Sequence, residues 1–138
     1  MYFFTLFGRM KIVCNRRELS VMIKGIGIDA VELSRIKKII EEKPQFVKRV
    51  LTPKEFAVFQ SLSKHRQVEY LGGRFACKEA FSKAYGTGIG AVTFQEIEVL
   101  NNEKGAPIVT MSPFTEGQAF VSITHTDTTA FAQIILEI

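Results

Sequence analysis

A chain of 138 residues, 46% hydrophobic and 23% charged, is one domain long and apolar enough to bury a core, which excludes a disordered polymer. No apolar run approaches the roughly 20 residues that a membrane span needs. The two cysteines, Cys14 and Cys77, fit neither a metal-ligand spacing nor a disulfide framework, so a reducing, cytoplasmic setting is the expectation.

The net charge of +4 invites a nucleic-acid reading, but +3 of it sits on residues 1–21, at Arg9, Lys11, Arg16, Arg17 and Glu18. Residues 22–138 are nearly neutral and show no stripe of aromatic and basic side chains, so nucleic acid is not an expected partner, nor is a membrane. The apolar run Tyr2–Phe7 precedes its basic residues, the reverse of a secretory signal. Arg16-Arg17-Glu18 is compatible with a purine-rich, ribosome-binding-like coding stretch just before Met22. Residues 1–21 are therefore expected to be an extension, with Met22 as the natural start of a domain covering 22–138.

From Met22 the chain reads as a strand in which Ile26 and Ile28 alternate with Gly25 and Gly27, ending near Asp29. A helix capped by Ser34 follows, with Ile36, Ile39 and Ile40 on one face and Arg35, Lys37 and Lys38 on the other, and Pro44 ends it. Thr52-Pro53-Lys54-Glu55 is a capping box with proline at the first helical position, ahead of Phe56, Phe59 and Leu62. A longer helix spans about 66–85, where Gly72-Gly73 marks tight packing against another backbone. The second half changes period. Residues 97–100 and 107–109 form a hairpin with a five-residue loop, and residues 119–124 and 129–136 form two further strands joined near Asp127. Short connections make them antiparallel, and helices followed by strands point to an α+β domain.

Chemistry concentrates at a few positions. Val68, Leu71 and Phe75 form a stripe that Glu79 continues, and a carboxylate on a buried stripe must be paired, bound to a cation or protonated. An ordinary partner is available in Lys83, four residues on. Asp29 at its strand end is either a local cap or half of a Mg²⁺ site with Glu79; Glu32 is a weaker third. Gly86-Thr87-Gly88-Ile89-Gly90 follows a helix rather than opening one, so Gly86 is first a C-terminal cap; no Walker lysine follows. Its backbone could still approach a diphosphate, with Arg74, Lys78 and Lys83 as counter-charges. His125 ends a strand, His65 reads as exposed, Ser122 lies in no nucleophile elbow, and Cys77 reads as helix packing.

Three segments together resemble the holo-acyl-carrier-protein synthase family, the small bacterial 4′-phosphopantetheinyl transferases. They are Gly25-Ile26-Gly27-Ile28-Asp29 with Glu32 and Ser34-Arg35-Ile36, Gly73-Arg74-Phe75-Ala76 through Lys78-Glu79-Ala80-Phe81-Ser82-Lys83-Ala84 to Gly86-Thr87-Gly88, and Val121-Ser122-Ile123-Thr124-His125-Thr126. The resemblance covers residues 22–138. It implies an α+β phosphopantetheinyl transferase fold, one unit per chain, assembled as a homotrimer with active sites between subunits. It implies transfer of 4′-phosphopantetheine from coenzyme A to a serine of apo acyl carrier protein, releasing 3′,5′-ADP, in fatty acid biosynthesis. Asp29 and Glu79 should hold Mg²⁺ on the diphosphate, with Lys83 neutralising charge on the leaving phosphate. Arg74, Lys83, Gly86, Thr87, Gly88, Pro107 and His125 should contact coenzyme A. Arg35 and Lys38 should meet the acidic carrier protein. The serine proton has two candidate acceptors, a water held at Glu79 and His125 itself. Ala106 and Thr128-Thr129 depart from the family's commoner residues, which bears on coenzyme binding more than on the carboxylates. A metal-dependent phosphohydrolase is the competing enzyme reading, and its product would be free phosphopantetheine.

Overall fold

The structure, a computed structural model, describes residues 21–138, so the expected extension falls outside the described residues except at Val21. Strand β1 (Ile23–Glu32) is followed by four helices, α1 (Leu33–Glu42), α2 (Pro44–Val50), α3 (Pro53–Ser61) and α4 (Lys64–Tyr85). A short 3₁₀ turn, Phe94–Glu96, leads to β2 (Glu98–Asn101) and β3 (Pro107–Met111); β4 (Gln118–His125) and β5 (Thr129–Glu137) close the chain. The α+β expectation holds: β1, β5 and β4 form one antiparallel sheet in that order, and β2 and β3 form a separate hairpin. Met22 exchanges two backbone hydrogen bonds with Ile138, so β1 is tied to the chain's last residue.

Local chemistry explains most boundaries. Thr52 Oγ1 accepts from Glu55 N while Glu55 Oε2 accepts from Thr52 N, the reciprocal bonds of a capping box. Gly86 ends α4 at φ +85°, a left-handed conformation that glycine adopts without penalty. Two expectations change. Ser34 is not the cap of α1: Glu32 stands there, and no side chain caps the helix. Pro44 does end α1, but it also opens α2, where proline's missing N–H costs nothing at a helix start.

Helix α4 is the centre of the molecule. It lies across the inner face of the three-stranded sheet, and Leu71, Ala76, Cys77, Ala80 and Phe81 are at most 1% exposed. Gly25 and Gly27 on β1 permit this: a Cβ there would stand 2.0 Å from the Ala84 carbonyl oxygen and 1.8 Å from that of Ala80. The backbone-to-backbone approach is therefore made by the strand glycines. Gly72 and Gly73, expected to serve that purpose, instead meet side chains, those of Leu33 and Ile123. None of the described elements covers the outer face of the sheet. Ile26, Ile135 and Phe120 lie in register across it, with Ile28 and Phe131 beside them; Ile26 and Ile28 are 60% and 61% exposed.

Candidate functional site

Side chains along β1 alternate between the two faces, so residues 25, 27, 29 and 31 point towards α4. Two glycines draw the helix in, and the next inward position is Asp29. The helix face above it carries Glu79 and Lys83, one turn apart. Lys83 Nζ donates to Asp29 Oδ1 at 2.6 Å and to the Ile28 carbonyl at 3.0 Å. Of the pairings open from sequence, the lysine thus goes to Asp29 and not to Glu79. Glu79, half-buried, makes no side-chain hydrogen bond or ion pair among the described residues. Burial, and then the neighbouring Asp29 charge, push its carboxyl above the usual range, with Lys83 opposing them.

Two carboxylates close enough to repel, one of them without a partner, suit a hard divalent cation. Mg²⁺ is commonly held by one or two carboxylates together with phosphate oxygens and waters. Among the described residues no group of three or more His, Cys, Asp or Glu is placed to hold a metal ion. The donor set therefore fits a cation shared with a phosphate ligand, and does not make an all-protein cage. Glu32 does not join it: the residue is exposed at the α1 start.

The loop after α4 sits next to this cluster in sequence. Gly86 and Gly88 have φ of +85° and +73°, and nothing lies within 4 Å of a Cβ built at either, so they serve conformation rather than packing. The N–H groups of Gly86, Thr87 and Gly88 all turn back onto the Ser82 carbonyl, at 3.0, 3.2 and 3.3 Å. In this conformation the loop's donors serve the helix end and do not form an open anion cradle.

Two expected counter-charges are used inside the chain. Lys78 is fully buried, its ammonium donating to Glu55 Oε2, the Val50 carbonyl and the Phe94 carbonyl. Arg74 is 6% exposed; it donates to the Val99 carbonyl and Asn101 Oδ1 and lies 4.2 Å from the Tyr70 ring. Both point to the side of α4 where the β2 hairpin and the start of α3 arrive, which helical spacing alone does not specify. Cys77 is sealed in the core, and burial pushes its thiol up to about 12, so it is inert.

The remaining candidates lie elsewhere. Pro107 starts β3 and, with β4 residues including Phe120 and Val121, lines a groove between the hairpin and the main sheet. His125 ends β4, exposed, with Nδ1 3.7 Å from Glu69 Oε1 on α4. Glu69 and Glu79 are ten residues apart on one helix, about 15 Å at 1.5 Å per residue. Within one chain, then, His125 stands well away from the Asp29–Glu79–Lys83 cluster. Arg35 and Lys38, exposed on α1, line a shallow groove with Ile39, Lys43 and Phe46. The sequence reading missed Glu69 and its contacts with His65 and Arg66; the only signal was i,i+3 and i,i+4 spacing, which is common on any helix.

Residues 25–135 match the 4′-phosphopantetheinyl transferase superfamily. The holo-[acyl-carrier-protein] synthase of Enterococcus faecalis is 66% identical over 116 residues, covering 84% of this chain and 98% of its own. That of Streptococcus thermophilus is 59% identical over 116 residues, covering 84% and 97%. Among solved structures, the Bacillus anthracis holo-(acyl-carrier-protein) synthase in complex with CoA (3′,5′-ADP) superposes with a TM-score of 0.78 at 48% identity, covering 84% of this chain and 97% of that one. The Helicobacter pylori enzyme in complex with coenzyme A gives 0.71 at 33% identity, covering 80% and 98%. With its glycine-set carboxylate pair inside the matched region, this chain belongs to the 4′-phosphopantetheinyl transferase superfamily and, within it, to the holo-[acyl-carrier-protein] synthase family.

Proposed function

We propose that this protein transfers 4′-phosphopantetheine from coenzyme A to a serine hydroxyl of an apo acyl carrier protein and releases 3′,5′-ADP. The observation that carries the reading is the meeting of Asp29, Glu79 and Lys83 beside the Gly25–Gly27 approach, in a chain of this family. The serine oxygen forms a bond to the phosphorus bearing pantetheine, the bond from that phosphorus to the oxygen of the departing 3′,5′-ADP breaks, and the serine proton is lost to a base. Nucleophile and phosphates are all electron-rich, so the chain must supply positive charge.

Asp29 and Glu79 would hold Mg²⁺, which when bound screens the diphosphate and polarises its oxygens. Lys83, half-exposed, is free to leave Asp29 for the leaving phosphate, its flexible stem making the exchange inexpensive. The glycine loop, Pro107 and His125 would meet the nucleotide. Arg74 would act there indirectly, by supporting β2 ahead of the loop that leads to Pro107. Of the two candidate proton acceptors, a water held at Glu79 would lie beside the reacting centre of the same chain, whereas His125 of that chain stands at the far end of α4.

The separation of the two groups supports an assembly reading. We take the functional unit to be a homotrimer in which His125 and Pro107 of one subunit complete the carboxylate site of another. The uncovered Ile26, Ile28, Phe120, Phe131 and Ile135 face is the apolar surface such an assembly would bury. Arg35 and Lys38 would meet the acidic carrier protein. No helix among the described residues is long and apolar enough to cross a membrane, and a buried free thiol agrees with work in the cytoplasm. Incubation with coenzyme A, Mg²⁺ and apo carrier protein tests the reading by mass: the carrier should gain one phosphopantetheine. Free phosphopantetheine with an unchanged carrier would instead identify a hydrolase, and omission of Mg²⁺ should stop the transfer.

A further inference from the structure

Both histidines of the chain converge on one carboxylate. Glu69 Oε1 is 3.1 Å from His65 Nε2 and 3.7 Å from His125 Nδ1, and Oε2 accepts from Arg66 at 3.1 Å. His65 and Arg66 belong to the same helical turn and carry no information beyond ordinary helix pairing. His125 is different, because it arrives from another element. It ends the inward-facing row of β4, after Ala119, Val121 and Ile123, where the register sets it across from Ala130. The acid is also the sheltered member: its side chain is 15% exposed, against 84%, 66% and 40% for His65, Arg66 and His125. Burial pushes the Glu69 carboxyl up, but the Arg66 hydrogen bond and the two imidazoles outweigh it and hold the acid below the usual range. A charged carboxylate thus sits beneath three surface groups and is saturated by none of them.

We propose that Glu69 is a positioning residue for coenzyme binding, acting through His125. The carboxylate draws Nδ1 towards itself, which leaves Nε2 directed outward from the end of β4 as the group offered to ligand. At 3.7 Å the contact is electrostatic rather than a hydrogen bond, which suffices to select the ring orientation and the nitrogen that keeps the proton. The proposal rests on the reading that His125 meets the nucleotide portion of coenzyme A.

The sign of one substitution separates positioning from simple charge balance. Coenzyme A is an anion. If Glu69 only offset its cationic neighbours, Glu69→Gln would strengthen binding by removing a like charge. If Glu69 positions His125, the same change weakens binding although it makes the surface more positive. Calorimetry with coenzyme A and with 3′,5′-ADP on the full chain reads this directly, with a melting curve to establish that each variant is folded. Glu69→Gln should weaken both ligands about tenfold, the size of one lost charge-assisted contact. Glu69→Asp should recover part of the loss. In a His125→Ala background the Glu69→Gln effect should shrink to within about twofold, because the two residues act in series. In turnover, KM for coenzyme A should rise more than kcat falls. Unchanged or tighter binding by Glu69→Gln, or a loss that persists without His125, overturns the proposal. Should the unaltered protein bind neither ligand, the coenzyme reading itself falls. The positioning claim then rests on the ¹⁵N signals of the His125 ring, and identical signals in the unaltered protein and Glu69→Gln overturn it.

Discussion

Two clusters of acid and lysine lie five residues apart on α4, and they differ in one respect. Around Lys78 every demand is met: the ammonium's three donors find three acceptors, and Glu55 accepts from Lys78, Thr52 N and Val99 N, with both side chains fully buried. Around Lys83 demands stay open: the lysine is half-exposed, Asp29 shares it with a carbonyl, and Glu79 has no partner among the described residues. The first cluster joins the ends of α2, α3, the 3₁₀ turn and β2 to the central helix, and a ligand could add nothing to it. The second leaves charge that none of the described residues satisfies. Saturation, rather than residue type, separates the closed cluster from the open one.

The contrast predicts opposite responses. Glu79→Gln should lower carrier-protein modification by roughly 10³-fold or more, the scale expected for one member of a unit acting on the transition state, and its melting temperature should not fall. The sign follows from the raised carboxyl. A group whose folded pKa lies above its unfolded value destabilises the fold at pH above that value, so a neutral glutamine removes a cost. Adding Asp29→Ala should do little further harm to transfer. Near-normal Mg²⁺-dependent transfer by Glu79→Gln, read by mass, would remove these carboxylates from the mechanism.

Lys78→Met should do the reverse and act on stability. It leaves a buried Glu55 and two carbonyls without their donor, at about 3 kcal/mol or more, measurable by urea unfolding. Adding Glu55→Gln should recover part of this, though not all, because Thr52 N and Val99 N also depend on that side chain. A Lys78→Met protein as stable as its parent would show that the closed cluster is not structural.

Gly27→Ala should affect both quantities. Its Cβ has no room against the Ala80 carbonyl, so α4 must move off β1. A loss of about 2 kcal/mol is expected from such overpacking, together with reduced transfer as Asp29 and Glu79 separate. Loss of stability with unaffected turnover would sever the proposed link between the glycine approach and the site.

The smallest effect is in pH. As pH falls through the raised folded value of Glu79 to the ordinary carboxyl value of the unfolded chain, the stability gap between Glu79→Gln and the parent should close, since protonation relieves the same cost. Glu98 behaves oppositely. Burial pushes its carboxyl up, but hydroxyl donors on Thr52 and Thr110 and the nearby Lys54 outweigh it and lower it. Its contribution is present above the unfolded carboxyl pKa and is lost only as pH drops through the lowered folded value. Urea unfolding at a series of pH values, with Glu98→Gln alongside, distinguishes the two; parallel curves for both variants would contradict the assignment.

Much was legible before any coordinates. The α3 capping box, the long helix to Gly86, the 98–111 hairpin and the β4–β5 pair follow from short-range rules of capping, periodicity and turn length. Asp29 was legible as a candidate on a glycine-rich strand, although the strand does not end there but runs on to Glu32. The motifs around Glu79 and His125 pointed to the family. The second helix after Pro44, by contrast, reads from sequence simply as a stop, since proline ends one helix and starts the next with equal ease.

What the sequence by itself determined is therefore most of the elements, the family, and Asp29 and Glu79 as candidates. What only the tertiary structure decided is how each charge is spent. Lys78 and Lys83 are the same residue type on one helix, but α3 and β2 arrive over the first and leave the second half-exposed. Arg74 turns inward because β2 offers it a carbonyl, and His125 leans on Glu69 because β4 happens to end there. The physical reason is common to all four: an ionised side chain follows its partners, and partners distant in sequence become neighbours only when the chain has folded.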